Sequence, residues 1–84
     1  MFTLDQAIEN ISYRIVGIQQ HVSSTVINER ARQLLELGFL KGEEVVLLHR
    51  TQPGSDPLVV RVGSSTYALR KIEASSIEVE KTHA

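Results

Sequence analysis

The sequence predicts one small, mostly β domain: about five short strands curling into a partly open barrel, with a single helix between the first and second strands. Three observations predict it. The chain has 84 residues, 42% of them hydrophobic and none of them cysteine, so it can bury one core and must hold it by packing alone. The stretch from Ile27 to Leu35 repeats its apolar residues at helical spacing over two turns; most of the rest shows β-branched residues in short runs between turn formers. And two glycines, Gly38 and Gly42, stand between the helical pattern and an aliphatic run, "EEVVLLHR".

Residues Thr3 to Glu9 can form one helical turn, with Thr3 as N-cap and Leu4, Ala7 and Ile8 on a shared face. "YRIVGIQQHV" alternates and reads as the first strand, with Gly17 marking a bend or bulge. Ser23 to Thr25 favour a cap. Beyond them Ile27, Ala31, Leu34 and Leu35 form one apolar stripe, and burying Leu34 and Leu35 is worth roughly 2 kcal/mol each. If the helix ends at Leu37, Gly38 is the residue just past its end, where φ is positive. Phe39 then packs back on Leu34. "LKGE" reads as a type II turn with Gly42 at its third position. The two glycines thus make an elbow, one stopping the helix and the other starting a strand in a new direction.

"EEVVLLHR" is apolar on both faces and is expected to be a central strand. "TQPGSDP" is a loop, "LVVRV" a strand, "GSS" a tight connection and "TYALRK" a strand with Tyr67 and Leu69 on one side. "EASS" suits a 3₁₀ turn. "IEVE" closes the sheet with Ile77 and Val79 inward, Glu78 and Glu80 on a solvated edge, and residues 81–84 frayed. Such a pattern fits an SH3-like barrel with an inserted helix; an OB-fold ranks second, because its helix usually lies between the third and fourth strands.

Chemistry is sparse. A net charge of −1 and a pI near 6.3 argue against general nucleic-acid binding, although Arg61, Arg70 and Lys71 lie close in sequence. His21, His49 and His83 have no metal-ligand spacing and read as surface histidines, able at most to catch zinc opportunistically. Glu43 and Glu44 point to opposite faces of a strand and form no catalytic pair. No nucleophile elbow, Walker A or Gly-x-Gly-x-x-Gly motif occurs, so no enzyme and no cofactor are expected. With four aromatics and no tryptophan, neither a polyproline groove nor a base-stacking platform is supported. The first residues have no basic and apolar leader pattern, and no run is long enough to span a bilayer, so no direct membrane insertion is expected.

Three segments, in order, resemble the FeoA family of accessory proteins in bacterial ferrous iron transport. In the elbow "ARQLLELGFLKGEEVVLL", Leu34, Leu37, Gly38 and Gly42 match that family's run. In "QPGSDPLVVRV", Pro53, Asp56 and Pro57 match its Asp-Pro loop. In "YALRKIEASSIEVE", Ala68, Leu69, Arg70, Ala74, Ile77 and Val79 fit. Two departures stand out. Lys41 replaces the family's proline, which costs about 0.4–1 kcal/mol of preset turn geometry, and Ser55 replaces the glycine before Asp-Pro. The resemblance implies a single SH3-like cytoplasmic domain over residues 1–84, without iron ligands of its own, that assists a FeoB-type permease through the permease's cytosolic region. Weak self-association is compatible with it.

Leu37, Phe39, Leu40 and Arg70 are the residues expected to meet that partner. Gly38, Gly42, Pro53, Asp56 and Pro57 are expected to shape the turns. Leu40 has an alternative place under the turn, in the core. The implied action is docking that modulates the permease. Alternatives are a regulator of the permease GTPase that supplies Arg70 in trans, and a small-barrel interaction module with an unrelated partner.

Overall fold

The computed structural model describes residues 2–19, 25–51, 54 and 56–82, the side chains of residues 25–28 excepted. Its strands are β1 (Phe2–Thr3), β2 (Ser12–Ile18), β3 (Glu44–Arg50), β4 (Leu58–Val62), β5 (Ser65–Leu69) and β6 (Ile77–Lys81). They form one antiparallel sheet in the order β1-β6-β2-β3-β4-β5. Helix α1 spans Thr25–Leu37 and α2 is a single turn at Lys71–Ala74.

Alternation gives the sheet one apolar face. Tyr13 and Ile15 of β2, Val45 and Leu47 of β3, Leu58 and Val60 of β4, Leu69 of β5, and Ile77 and Val79 of β6 all sit in one buried cluster. Strands at opposite ends of a flat sheet could not share a core, so the sheet must coil on itself. Register shifts between Ile15 and Gly17 in β2, and between Leu47 and His49 in β3, supply the bends. The edge strands β1 and β5 do not pair with each other, which leaves the barrel open along that seam.

The main features of the sequence reading hold: a mostly β barrel, a helix ending at Leu37, a bulge at Gly17 and a central "EVVLLHR" strand. Several details differ. Phe2–Thr3 adds a sixth strand, pairing Phe2 with Val79, so α1 falls between β2 and β3. The N-terminal helical turn shrinks to a 3₁₀ turn at Leu4–Gln6, with Leu4 and Ala7 buried but Ile8 exposed. On α1, Ala31 and Leu34 are buried whereas Leu35 is exposed. An α-helix advances 100° per residue, so Leu35 falls at the margin of a narrow stripe. β5 ends at Leu69, and α2 begins where the strand was expected to continue. β6 lies between β1 and β2, so Glu78, opposite Thr3, is not on a sheet edge; exposed Glu80 pairs with Arg14 of β2 and lies beyond the described end of β1. Lys81 belongs to β6, and the Thr82 hydroxyl donates to the Ser12 carbonyl at 3.2 Å. The expected cap at Ser23 and Ser24 and the apolar contact of Ile27 fall outside the described residues.

The end of α1 is built as its sequence requires. Phe39 N–H donates to the Leu34 carbonyl and Gly38 N–H to the Leu35 carbonyl, each at 3.1 Å. This pair of bonds is the Schellman closure, and it needs a left-handed residue at Gly38, whose φ is 110°. Glu43 N–H then donates to the Leu40 carbonyl at 3.0 Å around Gly42, φ 92°. Two further bonds tie the turn to β2: Gly42 N–H to the Ile15 carbonyl (2.8 Å) and Ile15 N–H to the Glu43 carbonyl (2.9 Å).

A Cβ added at Gly38 would meet no atom within 4 Å, so a substitution there acts on the backbone alone. Gly38→Ala should lower unfolding free energy in urea by about 1–2 kcal/mol, the cost of holding alanine left-handed. A change near zero would show that the helix end does not depend on that conformation.

Candidate docking site at the elbow

The elbow and the β4–β5 hairpin tip face one another. Between them lies an open groove of about 260 Å³, with Leu37, Gly38, Leu40 and Glu43 on one wall and Val62, Gly63, Ser64 and Ser65 on the other. The hairpin wall has a two-residue connection: Val62 pairs with Ser65, and Gly63 takes φ 59°, the positive value a type II′ turn requires at its first central residue.

The Schellman closure sorts three neighbouring apolar side chains. Phe39 is fully buried and joins Leu34 in the core. Leu37 and Leu40 remain 43% and 47% exposed on either side of it. Phe39 therefore cannot meet a partner in this conformation, and its place is structural. Leu40 is not under the turn. Leu37 and Leu40 line the groove together.

Tyr67 fixes the distance between helix and hairpin. Its hydroxyl donates to the Leu37 carbonyl at 2.9 Å, and its ring lies 5.7 Å from that of Phe39 at a 48° tilt. The last carbonyls of a helix lack partners within it. Those of Leu34 and Leu35 are satisfied by the closure and that of Leu37 by Tyr67. The sequence reading made Tyr67 only a packing residue. Nothing in β5 itself shows a tyrosine reaching a helix end 30 positions earlier, although its hydroxyl, needing a partner beside an apolar core, was a hint.

Arg70 lies elsewhere. Leu69 pairs with Leu58, whereas Ser65 pairs with Val62 beside the groove. At ~3.3 Å per strand residue, Arg70 is roughly 17 Å from the groove end of β5. Its side chain is exposed and its backbone is firmly held: Arg70 N–H donates to Glu73 Oε1 at 2.7 Å, and its carbonyl accepts from Glu73 and Ala74. Asp56 Oδ1 accepts from Lys71 N–H at 2.9 Å, so Asp56 caps α2 from the β3–β4 loop. The Pro57 carbonyl accepts the N–H and hydroxyl of Thr51, closing that loop. Pro53 lies outside the described residues. Arg61 pairs with Thr66, three ladder steps from the Leu58–Leu69 pair, so the register does not gather Arg61, Arg70 and Lys71 into one patch.

Among the described residues no three His, Asp or Glu side chains are placed to hold a metal ion. His49 is exposed on β3, and His21 and His83 lie outside the described residues. The ion pairs found among these residues join Arg32 to Glu29 and Glu36 on the wet face of α1, where they add little. No helix among these residues is long and apolar enough to cross a membrane.

A coiled antiparallel sheet around one core, with an open seam and a helix-to-strand elbow, defines a small β-barrel domain of the SH3-like class. Residues 2–81 match the FeoA domain, and the chain belongs to that family. It is similar to the FeoA of Stenotrophomonas maltophilia at 36% identity and a TM-score of 0.79, over 95% of this chain and 91% of that one. That protein was crystallised with zinc and is described as a prokaryotic SH3 domain protein put forward as a ferrous iron transport activating factor. Iron(II) transport protein A from Clostridium thermocellum is 31% identical, TM-score 0.78, over 95% of this chain and 45% of that one. A FeoA-like protein from Clostridium acetobutylicum shares the fold at 24% identity and TM-score 0.78, over 99% of this chain and 88% of that one. No curated protein sequence matches this chain.

Tyr67→Phe deletes one hydrogen bond and leaves the ring. It should cost about 0.5–1.5 kcal/mol and speed amide exchange at Gly38 and Phe39 more than in β2. Uniform acceleration across the sheet would show that the hydroxyl does not secure the helix end.

Proposed function

We propose that this chain is an accessory protein of ferrous iron transport that works in the cytoplasm, docks on the cytosolic region of a FeoB-type membrane permease and modulates it. It is not read as an enzyme. Kinship with the Stenotrophomonas protein supports the transport role. The observation that carries docking is the pair Leu37 and Leu40, held exposed on a backbone that the closure and two bonds to β2 keep in place. A surface already fixed in its binding shape loses less entropy on association than a flexible one.

Leu40→Asp separates docking from a structural role. Because Leu40 is half-exposed, the variant should keep its melting temperature. It should bind the purified cytosolic portion of the permease more weakly by about 1–3 kcal/mol, as expected for one apolar anchor. Calorimetric titration showing a stable variant with undiminished binding would remove the elbow from the interface.

A second reading gives Arg70 a role in nucleotide turnover. Its support is the exposed guanidinium on a fixed backbone, for which no carboxylate partner is found among the described residues. An arginine supplied in trans accelerates turnover by about 10³-fold or more. GTP hydrolysis by the permease domain, measured with wild type and Arg70→Ala, decides the matter. Under the docking reading the two proteins give the same rate.

The chain should bind ferrous iron only weakly, because the described residues offer no preorganised ligand set. Calorimetry of the isolated protein with Fe²⁺ under anaerobic conditions should show no stoichiometric binding; a tight, one-to-one isotherm would contradict this.

A further inference from the structure

The groove continues into an open sheet edge. Val62 and Ser65 close a two-residue hairpin and therefore exchange hydrogen bonds, so Tyr67 and Leu69 also bond to β4 and the ladder alternates. The intervening residues, Thr66 and Ala68, turn their N–H and C=O groups away from β4. Among the described residues no strand lies beyond β5, and no other backbone group takes up these donors and acceptors. Thr66 and Ala68 are exposed. β5, "STYAL", has no charge, proline or bulge, the devices that usually blunt an edge. The other edge, β1, is only two residues long.

We infer that this edge and the groove are one recognition site, and that the permease docks by adding an extended segment to β5 as a seventh strand; the inference rests on the docking reading above. The register follows from the ladder. In an antiparallel addition, residue j of the segment exchanges bonds with Thr66 and residue j−2 with Ala68. Residue j+1 then lies opposite Ser65 and points to the same face, into the groove between Leu37, Leu40 and Val62. Residue j−1 lies opposite Tyr67. The segment therefore carries apolar side chains at j−1 and j+1 and no proline at j or j−2.

Charge sets its polarity. Glu43 stands at the groove end of the track, and Arg70 and Lys71 stand at the other. Lys41 is exposed on the elbow but does not line the groove. A basic residue beyond j+1 and an acidic residue before j−2 complement this arrangement.

A second copy of the chain is a poorer occupant. If β5 paired with β5 of another molecule through Thr66 and Ala68, the residue opposite Ser65 would be Leu69. That side chain is 2% exposed, committed to its own core, and unable to fill the groove. A free segment has no such commitment.

Amide hydrogen exchange of the full chain, with and without the purified cytosolic portion of the permease, tests this. Thr66 and Ala68 should gain at least about tenfold protection on binding, while Tyr67, already paired, gains much less. Ala68→Pro removes only an outward donor; it should preserve the melting temperature and weaken binding about tenfold. Glu43→Lys should weaken it further as salt is lowered. Binding that leaves Thr66 and Ala68 exchange unchanged would sink strand addition while leaving elbow docking intact. Absence of any binding would remove both. Protection that grows with the concentration of this protein alone would assign the edge to self-pairing and overturn the choice of occupant. Should Ala68→Pro fail to fold, the wild-type exchange pattern still decides.

Discussion

The bond from Phe39 N–H to the Leu34 carbonyl determines what the rest of this structure can do. It ends α1, reverses the chain and drives one aromatic ring into the barrel. Three apolar side chains, those of Leu37, Phe39 and Leu40, are sorted by that turn. With the bond made, Phe39 joins the core, and the leucines on either side are displaced outward. The exposed leucine pair and the core are therefore set by the same backbone event. The tip cannot be remodelled without disturbing the packing beneath it.

Aromatic side chains extend that dependence across the seam. Phe39 meets Tyr67, whose hydroxyl returns to the helix end; on the far side of the barrel Phe2 meets Tyr13 edge-on at 5.2 Å, and the Tyr13 hydroxyl accepts from Ile8 N–H at 3.0 Å. All four aromatics of the chain thus act in two pairs, each fastening a short non-sheet segment to the barrel. That use explains why no aromatic platform remains on the surface. The rings are committed to closure, and what the elbow presents to solvent is aliphatic side chains and backbone.

How much of this was legible in the sequence depended on range. Gly38 and Gly42 could be placed because a helix end and a type II turn are local structures with local residue requirements. The inward sets of β3, β4 and β6 followed from alternation. Phe2–Thr3 could not be recognised as a strand, because two residues carry no periodicity and their pairing with β6 spans most of the chain. Leu35 was misplaced because spacing finds a stripe but not its width, which depends on tertiary packing. The site was half legible. Leu40 was expected outside and is. Phe39 was assigned to docking as well as to packing, and burial leaves it only the second. Arg70 was named beside the elbow residues because it was read as ending a strand at a family-matched position, and the ladder separates it from them. The role of Asp56 at α2 depends on a contact 15 positions away and has no local signature.

The place of β6 has a consequence for how the chain acquires its shape. Strands β3, β4 and β5 follow one another as neighbours, and their contacts form early and locally. β2 depends on β6: Ile15 lies opposite Val79, 64 positions further on. Contacts so distant are slow to form because a long loop must close first. On a ribosome, the residues through Leu69 would emerge with Leu4, Tyr13 and Ile15 still uncovered. The nascent chain would carry a sticky half-barrel until β6 paired with β2. That one late step adds a five-residue strand beside β2 and gives β1 the strand it pairs with.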